Sequence, residues 1–321
     1  MLSNLEMDMK RVFTILLWSL ALVVTTDVVA QEYSKEDAKY VKRLTKSAKR
    51  GTDIDDIRDL ADIYFYGTRA EQDMVAAVKW YTKGAEMGDA YSRCLLATCY
   101  YQGSGVEQDM AMATYWFEKS AEQGVREAQH NLALCYFEGT GVEYDVDMAR
   151  YWYHQAAEQG CLDSQRMLGV IYSVINEDPL EGLRWFTMAA EGGDMFSQNE
   201  VALQHFTGEN IPQDYATAVM WWREAADQGH ELANFNLGYC YENGLGVTPN
   251  IDEAVRRYRI AADAGVAIAQ HQLAMCYLAG TGVECDVAMS LELLYRAAEG
   301  GFDMSLNAIA DIEAYLASEK E

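Results

Sequence analysis

The chain has 321 residues, of which 50% are hydrophobic, and its 50 acidic side chains outnumber 25 basic ones to give a formal net charge of −25. So strong an acidic excess repels phosphate groups, which argues against nucleic acid or anionic lipid as partners and favours a basic protein or peptide. Its 24 glycines and only three prolines suit helices joined by tight glycine loops better than a multi-stranded β-protein.

The N-terminus has the layout of a signal peptide. Lys10 and Arg11 precede an apolar run at residues 12–24. This run is shorter than the roughly 20 residues that a helix needs to cross a bilayer core. Small residues at 28–30 match a cleavage site, so we predict a signal peptide at residues 1–30, removed after Ala30. The alternative is an uncleaved membrane anchor. Either way, we expect the body to act outside the cytoplasm, secreted or periplasmic.

The body repeats itself with a period of 36 residues, as residues 125–160 illustrate. Leu132 and Tyr136 are four positions apart, which puts both side chains on one face of a helix that we call helix A. Gly139 follows where a helix ends in the left-handed conformation, and Asp145 stands where a carboxylate caps the next helix, helix B. The same pattern recurs along the chain and predicts a helix-turn-helix unit.

Helix B has its own signature in the same unit. Trp152 and Tyr153 form an aromatic pair, and Ala156 and Ala157 form a small pair that permits close helix approach. Gly160 then ends the unit and lets the chain start the next helix A. Because each unit contacts mainly its neighbours, this architecture implies no compact active-site cleft.

The periodicity predicts seven units between an N-terminal capping half-repeat at residues 31–52 and a C-terminal capping helix and tail at 302–321. The fourth unit is three residues shorter and lacks the glycine loop, so we expect a tighter connection there and a local change in curvature. The predicted units are 53–88, 89–124, 125–160, 161–193, 194–229, 230–265 and 266–301.

The repeated pattern L-G/A-x-x-Y-x-x-G-x-G-V-x-x-D-x-x-x-A-x-x-W-Y-x-x-A-A-E-x-G closely resembles the Sel-one-like repeat, a relative of the tetratricopeptide repeat. The resemblance covers about 270 residues of the chain. It implies an all-α fold, a right-handed αα-superhelix or solenoid, and a role as an adaptor or scaffold for protein complexes. Secreted cysteine-rich members of that family are associated with binding or hydrolysing β-lactams. The alternative function is therefore a hydrolase of β-lactams or cell-wall peptides.

The seven cysteines do not follow the pattern of those relatives, in which a pair in each unit joins helix A to helix B. Four of them directly precede the recurring tyrosine of helix A, and we interpret them as small core residues: Cys99, Cys135, Cys240 and Cys276. The chain contains no CxxC, HExxH, Ser-x-x-Lys or phosphate-loop motif. We therefore predict no metal, cofactor or catalytic residue, and a binding protein rather than an enzyme.

Helix A should line the concave face, where a protein or peptide partner would bind to a monomer. Positions are counted from the first residue of each unit. Side chains at positions six and thirteen avoid the predicted core, and several are aromatic, the residue type that anchors peptides. The candidates at these positions are Tyr101, His130, Phe137, Arg166, Phe206, Phe235 and His271.

A row of amide side chains stands at position five of five successive units. Amides hydrogen-bond a peptide backbone without regard to its sequence, which makes them candidate peptide ligands. The alternative, that they bridge neighbouring helices, has more weight because buried polar side chains normally bond within the fold. The row consists of Gln129, Gln165, Gln198, Asn234 and Gln270.

Overall fold

The computed structural model describes residues 33–51, 53–175 and 177–318, so the predicted signal peptide lies outside the described residues. Within them the chain forms sixteen α-helices and no strand. In chain order these are α1 (Lys35–Arg50), α2 (Ile54–Tyr66), α3 (Met74–Glu86), α4 (Ala90–Gln102), α5 (Met110–Ala121), α6 (Arg126–Glu138), α7 (Val146–Glu158), α8 (Leu162–Val170), α9 (Pro179–Glu191), α10 (Met195–Thr207), α11 (Tyr215–Asp227), α12 (Glu231–Asn243), α13 (Ile251–Asp263), α14 (Ala267–Ala279), α15 (Val287–Glu299) and α16 (Met304–Ser318).

The even-numbered helices from α2 to α14 are the predicted A helices, and the odd-numbered helices from α3 to α15 are the B helices. The predicted all-α solenoid class is confirmed. Between Val174 and Ile175 the chain divides into two larger compact parts, each of which contains several repeats. From here on, these parts are called the first unit and the second unit, and the 36-residue element is called a repeat. The first unit holds α1 to α8 and the second holds α9 to α16, and in each the helices pack on their neighbours in the chain.

The core of each unit is built from the side chains that the periodicity marked. The aliphatic residue of helix A is at most 3% exposed in every repeat, as Leu132 in the first unit and Leu273 in the second illustrate. Tyr153 and Tyr258 of the B helices are fully buried beside alanines. Small residues there let the helices approach closely, and the rings pack on the A helix of the same repeat, Tyr153 against His130 and Tyr258 against Phe235.

The helix ends confirm the predicted capping residues. The Asp145 carboxylate accepts hydrogen bonds from the backbone N–H groups of Asp147 and Met148, both at 3.0 Å. Three other predicted aspartates cap their helices in the same way, namely Asp109, Asp214 and Asp286. The glycines predicted to close helix A adopt the left-handed conformation, as at Gly139 with φ 70°.

We expect Asp145→Ala to lower the free energy of unfolding by about 1 kcal/mol, because two N–H groups that open α7 lose their acceptor. Urea denaturation followed by circular dichroism would measure the loss. Asp145→Asn retains an acceptor oxygen and is the control; it should restore most of the stability. Equal losses in the two variants would show that the cap acts through charge rather than through these hydrogen bonds.

The short fourth repeat connects its two helices without the glycine loop that the other repeats use. Helix α8 runs directly into a π-helical segment, Ile171–Ile175, instead of ending at a glycine. Glu177 then takes a left-handed φ of 52°, and Asp178 caps α9 through the backbone N–H of Glu181. The predicted change in curvature at this repeat stays a prediction.

Candidate functional site

In the second unit, one side of each A helix faces solvent, and it is formed by positions three, seven, ten and fourteen of the repeat. In α12, Leu232 and Tyr239 at positions three and ten are exposed, whereas Leu237 and Cys240 on the opposite side are buried. The A helices of the second unit therefore present the same positions to solvent, whereas Leu134, Met167 and Val170 occupy positions of this set in the first unit and are buried. A partner can reach this side without separating packed helices.

In the second unit, side chains link the A helices into one continuous surface. The rings of Phe206 on α10 and Tyr239 on α12 lie 6.3 Å apart. Gln272 of α14 donates a hydrogen bond to Glu242 of α12 at 3.1 Å. The Nδ1 atom of His271 lies 2.9 Å from the Ser305 hydroxyl of α16. Four A-type helices therefore stand side by side, and a ligand could contact all of them.

This surface is rich in apolar side chains, and we call it the apolar A face. Five of its members are between 37% and 64% exposed: Leu232, Tyr239, Ile268, Met275 and Met304. Phe196 and Leu203, at the equivalent positions of α10, are half-buried and complete it. Scattered single apolar residues are normal on protein surfaces, but a contiguous set of this kind marks interaction sites.

The charged side chains on the four helices of the apolar A face are all carboxylates, whereas Arg223, Arg257 and Arg259 of the B helices contact α12 and α14 from beside it. Helices α10, α12, α14 and α16 contain no lysine or arginine. Carboxylates lie on the same helices at Glu200, Glu231, Glu242, Asp311 and Glu313. A surface of this composition attracts cationic segments and repels acidic ones.

The A helices of the first unit present tyrosines and carboxylates instead of aliphatic residues. Tyr66, Tyr91 and Glu127 are exposed on this side. The covered part of Tyr66, assisted by the neighbouring Tyr91, raises the pKa of its hydroxyl to about 12. Beneath them, the Tyr81 hydroxyl donates a 2.6 Å hydrogen bond to Asp62, whose pKa is raised by its own burial. This side can therefore offer both acceptors and rings to a cationic peptide.

The amides singled out from the sequence are buried and bonded within the fold. The Nε2 atoms of Gln165, Gln198 and Gln270 each donate to the backbone carbonyl eight residues earlier, at 3.1 to 3.2 Å. Gln129 does the same at 3.3 Å, and Asn234 donates to the His230 carbonyl at 3.2 Å. These bonds join the start of each A helix to the preceding helix or turn, as the bridging alternative expected. We therefore leave the amides out of the binding surface.

The candidates at position six are engaged in contacts within the fold rather than presented on the solvent side of the A helices. His130 Nδ1 is 2.8 Å from the Ser164 hydroxyl of the next A helix. Arg166 is buried and forms an ion pair with Asp163. His271 is likewise bonded to the next helix, as described above, and Phe235 is half-buried 5.7 Å from the ring of Tyr258.

The aromatic residues at position thirteen are also largely covered. Phe137 is buried, and Phe206 packs within 5.2 Å of the rings of Tyr215 and Trp222. Tyr101 is half-buried, and burial raises its pKa to about 12. These rings form a layer beneath the solvent side. The exposed apolar residues that the sequence interpretation did not single out are those at positions three and ten, about 60° further round the helix.

Buried histidines make the stability of the fold sensitive to acid. Burial lowers the pKa values of His130, His230 and His271 below 6.5, although Asp163 opposes this effect at His130 and Arg166 adds to it. The unfolded chain therefore binds protons as the pH falls through about 6.5, before the folded chain does. The contribution of these neutral histidines is present at neutral pH and is lost on acidification.

We expect the double variant His130→Gln, His271→Gln to lose less stability than the wild type when the pH falls from about 7.5 to about 5.5. Urea midpoints measured at both values would give the difference. Glutamine can still hydrogen-bond the partner serines but cannot titrate. The same pH dependence in both proteins would place the acid sensitivity elsewhere.

The thiols lie where small core residues were expected. Cys99, Cys135, Cys240 and Cys276 are buried, and burial raises their pKa values to about 11 or 12. In the part of the chain that the structure describes, no group of three or more His, Cys, Asp or Glu side chains is arranged to hold a metal ion. Over the same residues, no helix combines the length and the apolar character that crossing a membrane requires.

The sequence matches the family model of the Sel1 repeat seven times, at residues 57–89, 90–125, 126–161, 162–194, 196–230, 232–266 and 267–302. No curated protein matches the chain. Among solved structures, it is similar to c5321, a protective antigen of uropathogenic Escherichia coli strains with an SLR fold, at 29% identity and a TM-score of 0.79. That match covers 85% of this chain and 59% of the other, so the chain spans well under two thirds of that protein.

A Sel1 repeat protein from Oxalobacter formigenes is similar at 26% identity with a TM-score of 0.68, covering 89% of this chain and 83% of the other. The family matches cover most of residues 57–302 and agree with the helical pairs described above. Sel1 repeats generally form non-catalytic scaffolds for protein interactions. The chain belongs to the Sel1 repeat family.

Proposed function

We propose that this chain is a protein-binding scaffold that acts outside the cytoplasm and holds its partner on the solvent side of its A helices. The observation that supports this most strongly is the apolar A face, where exposed Leu232, Ile268 and Met275 repeat from helix to helix. Removing such side chains from water contributes about 25 cal/mol per Å² of apolar surface, from which the entropic cost of association is subtracted. A site repeated along an array suits an elongated partner.

The charge of the protein adds a preference for a basic partner. The net charge is −25, and the A helices carry carboxylates in both units. Opposite charge steers a basic partner toward the surface and raises its association rate, and salt weakens this effect. A basic protein or peptide that also carries apolar side chains therefore fits the surface best.

The test compares two triple variants that differ only in which side of the second unit is changed. The A-face variant is Leu232→Ser, Ile268→Ser, Met275→Ser. The matched B-face variant is Met220→Ser, Ile260→Ser, Met289→Ser, three side chains on B helices with 37% to 48% exposure. Both should fold, because exposed substitutions usually change stability by less than about 0.5 kcal/mol each.

Affinity capture from an envelope extract, with each partner confirmed as a purified protein, should recover partners with the wild type and the B-face variant. The A-face variant should lose them. Equal recovery by all three proteins would overturn the assignment to the A helices. Turnover of a β-lactam by the purified wild type would instead support the hydrolase alternative.

The proposed export of the protein depends on the signal peptide predicted at residues 1–30, and a separate experiment tests it. N-terminal sequencing of the protein recovered from the producing cells should begin at Gln31. A chain that keeps its apolar segment and partitions into membranes would support the anchored alternative. Recovery of an uncleaved chain from the cytoplasm would overturn the proposal of extracytoplasmic action.

A further inference from the structure

The apolar A face is organised in rows that run from helix to helix across the second unit. Position three forms one row, Phe196, Leu232, Ile268 and Met304. Position ten forms a second, parallel row, in which Leu203, Tyr239 and Met275 follow one another. Each row therefore offers one apolar side chain per repeat, and a ligand crossing the helices would meet them at regular intervals.

The spacing of these rows matches one extended backbone conformation. The A helices of the second unit contact one another through their side chains, and packed helices lie about 8–10 Å apart. A polyproline II segment rises about 3.1 Å per residue with three residues per turn, so every third side chain points the same way at intervals of about 9 Å. An apolar side chain at every third position would thus meet one member of a row on each successive helix.

A polar row lies between the two apolar rows. It consists of Glu200, Asn236 and Gln272 at position seven, all half-buried. A polyproline II segment has no internal hydrogen bonds, so its backbone N–H and C=O groups need external partners. The amide of Asn236 offers both donors and an acceptor, and Gln272 lies beside the Glu242 carboxylate at 3.1 Å. This row can satisfy a backbone that crosses above it.

The charge of the surface determines which residues fit between the apolar positions. No lysine or arginine lies on α10, α12, α14 or α16, while Glu200, Glu231 and Glu242 do. Acidic residues in the ligand would meet like charges, whereas lysines or arginines would find carboxylates within reach.

We infer that the apolar A face binds an extended basic segment of a protein in which an apolar side chain recurs at every third position. This inference rests on the proposed function and specifies the chemistry of the partner. The regular spacing of the apolar rows favours a ligand in the extended conformation. The carboxylates on these helices favour a ligand that carries basic residues. Neither a folded apolar surface nor a second copy of this acidic chain has that combination.

The test uses three labelled synthetic peptides of about 12 residues and the full mature chain, with fluorescence anisotropy as the readout. The first peptide has leucine at every third position and lysine or proline elsewhere. The second has the same composition with the leucines in adjacent pairs, and the third replaces each lysine with glutamate. The A-face and B-face variants defined above are measured in parallel, after circular dichroism has shown that both remain folded.

We expect the first peptide to bind the wild type and the B-face variant at least about tenfold more tightly than it binds the A-face variant. The second and third peptides should bind the wild type at least about tenfold more weakly than the first. Raising the salt concentration should weaken the first peptide's binding.

Equal affinity for the first two peptides would overturn the three-residue period, and tight binding of the glutamate peptide would overturn the basic character. Loss of binding in the B-face variant as well would overturn the assignment to this surface. These outcomes leave the capture of protein partners by the A helices untouched, so a failure of the peptide chemistry is distinguishable from a failure of the proposed function. A dimer of the chain that blocks the first peptide would show that a second copy is the true occupant.

Discussion

Replacing Gly141 with alanine is expected to destabilise the first unit by about 3 kcal/mol or more, one of the largest effects of any single substitution in the chain. Gly141 has a φ of 74°, which costs a side chain about 1–2 kcal/mol. An added Cβ would also overlap the Met110 carbonyl group and lie 2.7 Å from the Thr114 hydroxyl. That hydroxyl donates to the Thr140 carbonyl at 3.1 Å, so the loop is fixed on the start of α5.

Gly160→Ala is the matched control, because it separates backbone strain from packing. Gly160 has a similar φ of 80°, but a Cβ there would meet nothing within 4 Å. The control should therefore lose only the backbone cost of about 1–2 kcal/mol. Urea denaturation of both variants, followed by circular dichroism, measures the difference. Equal losses would contradict the close approach between this loop and the preceding B helix.

Trp222→Ala is expected to destabilise the second unit by about 3–5 kcal/mol. The ring is 1% exposed and lies 5.2 Å from the ring of Phe206, so its removal leaves a cavity at the centre of this unit. Its Nε1 atom donates a 3.0 Å hydrogen bond to Asn199 Oδ1. The buried amide oxygen would lose this donor, which adds to the loss of packing.

Two further variants divide that effect into its parts. Trp222→Phe fills most of the space but cannot donate to Asn199, and it should cost about 1–3 kcal/mol. Met220→Ala, two residues earlier on the exposed side of α11, should change stability by less than about 0.5 kcal/mol. Thermal and urea denaturation would measure all three. A Trp222→Ala protein as stable as Met220→Ala would show that this ring does not organise the core.

Much of the fold could be predicted from the sequence, because the same local rules recur in each repeat. Leu132 and Tyr136 fix the inward side of a helix, Gly139 ends it, and Asp145 begins the next one. Each of these signals depends only on residues nearby in the chain. Because the same signals recur in one repeat after another, they do not arise by chance. The π-helical segment Ile171–Ile175 could not be predicted from the sequence, because nothing in its residues distinguishes a π turn from an ordinary loop.

The binding surface was harder to predict, since it depends on contacts between repeats. Positions six and thirteen look exposed on a single helix, but neighbouring helices cover them: Ser164 of the next A helix bonds His130, and Trp222 of helix B packs on Phe206. Positions three and ten, such as Leu232 and Tyr239, resemble core residues by type and are exposed in the structure. The packing of neighbouring A and B helices distinguishes the two sets.

The central claim, that partners bind the solvent side of the A helices, is tested most directly by photo-crosslinking in the producing cells. A benzophenone side chain replaces Tyr239 on α12 in one protein and Met220 on α11 in the other, two side chains with 42% and 48% exposure. We expect discrete protein adducts from position 239 and none from position 220. Adducts from position 220 alone, or the same adducts from both positions, would contradict binding at the A helices.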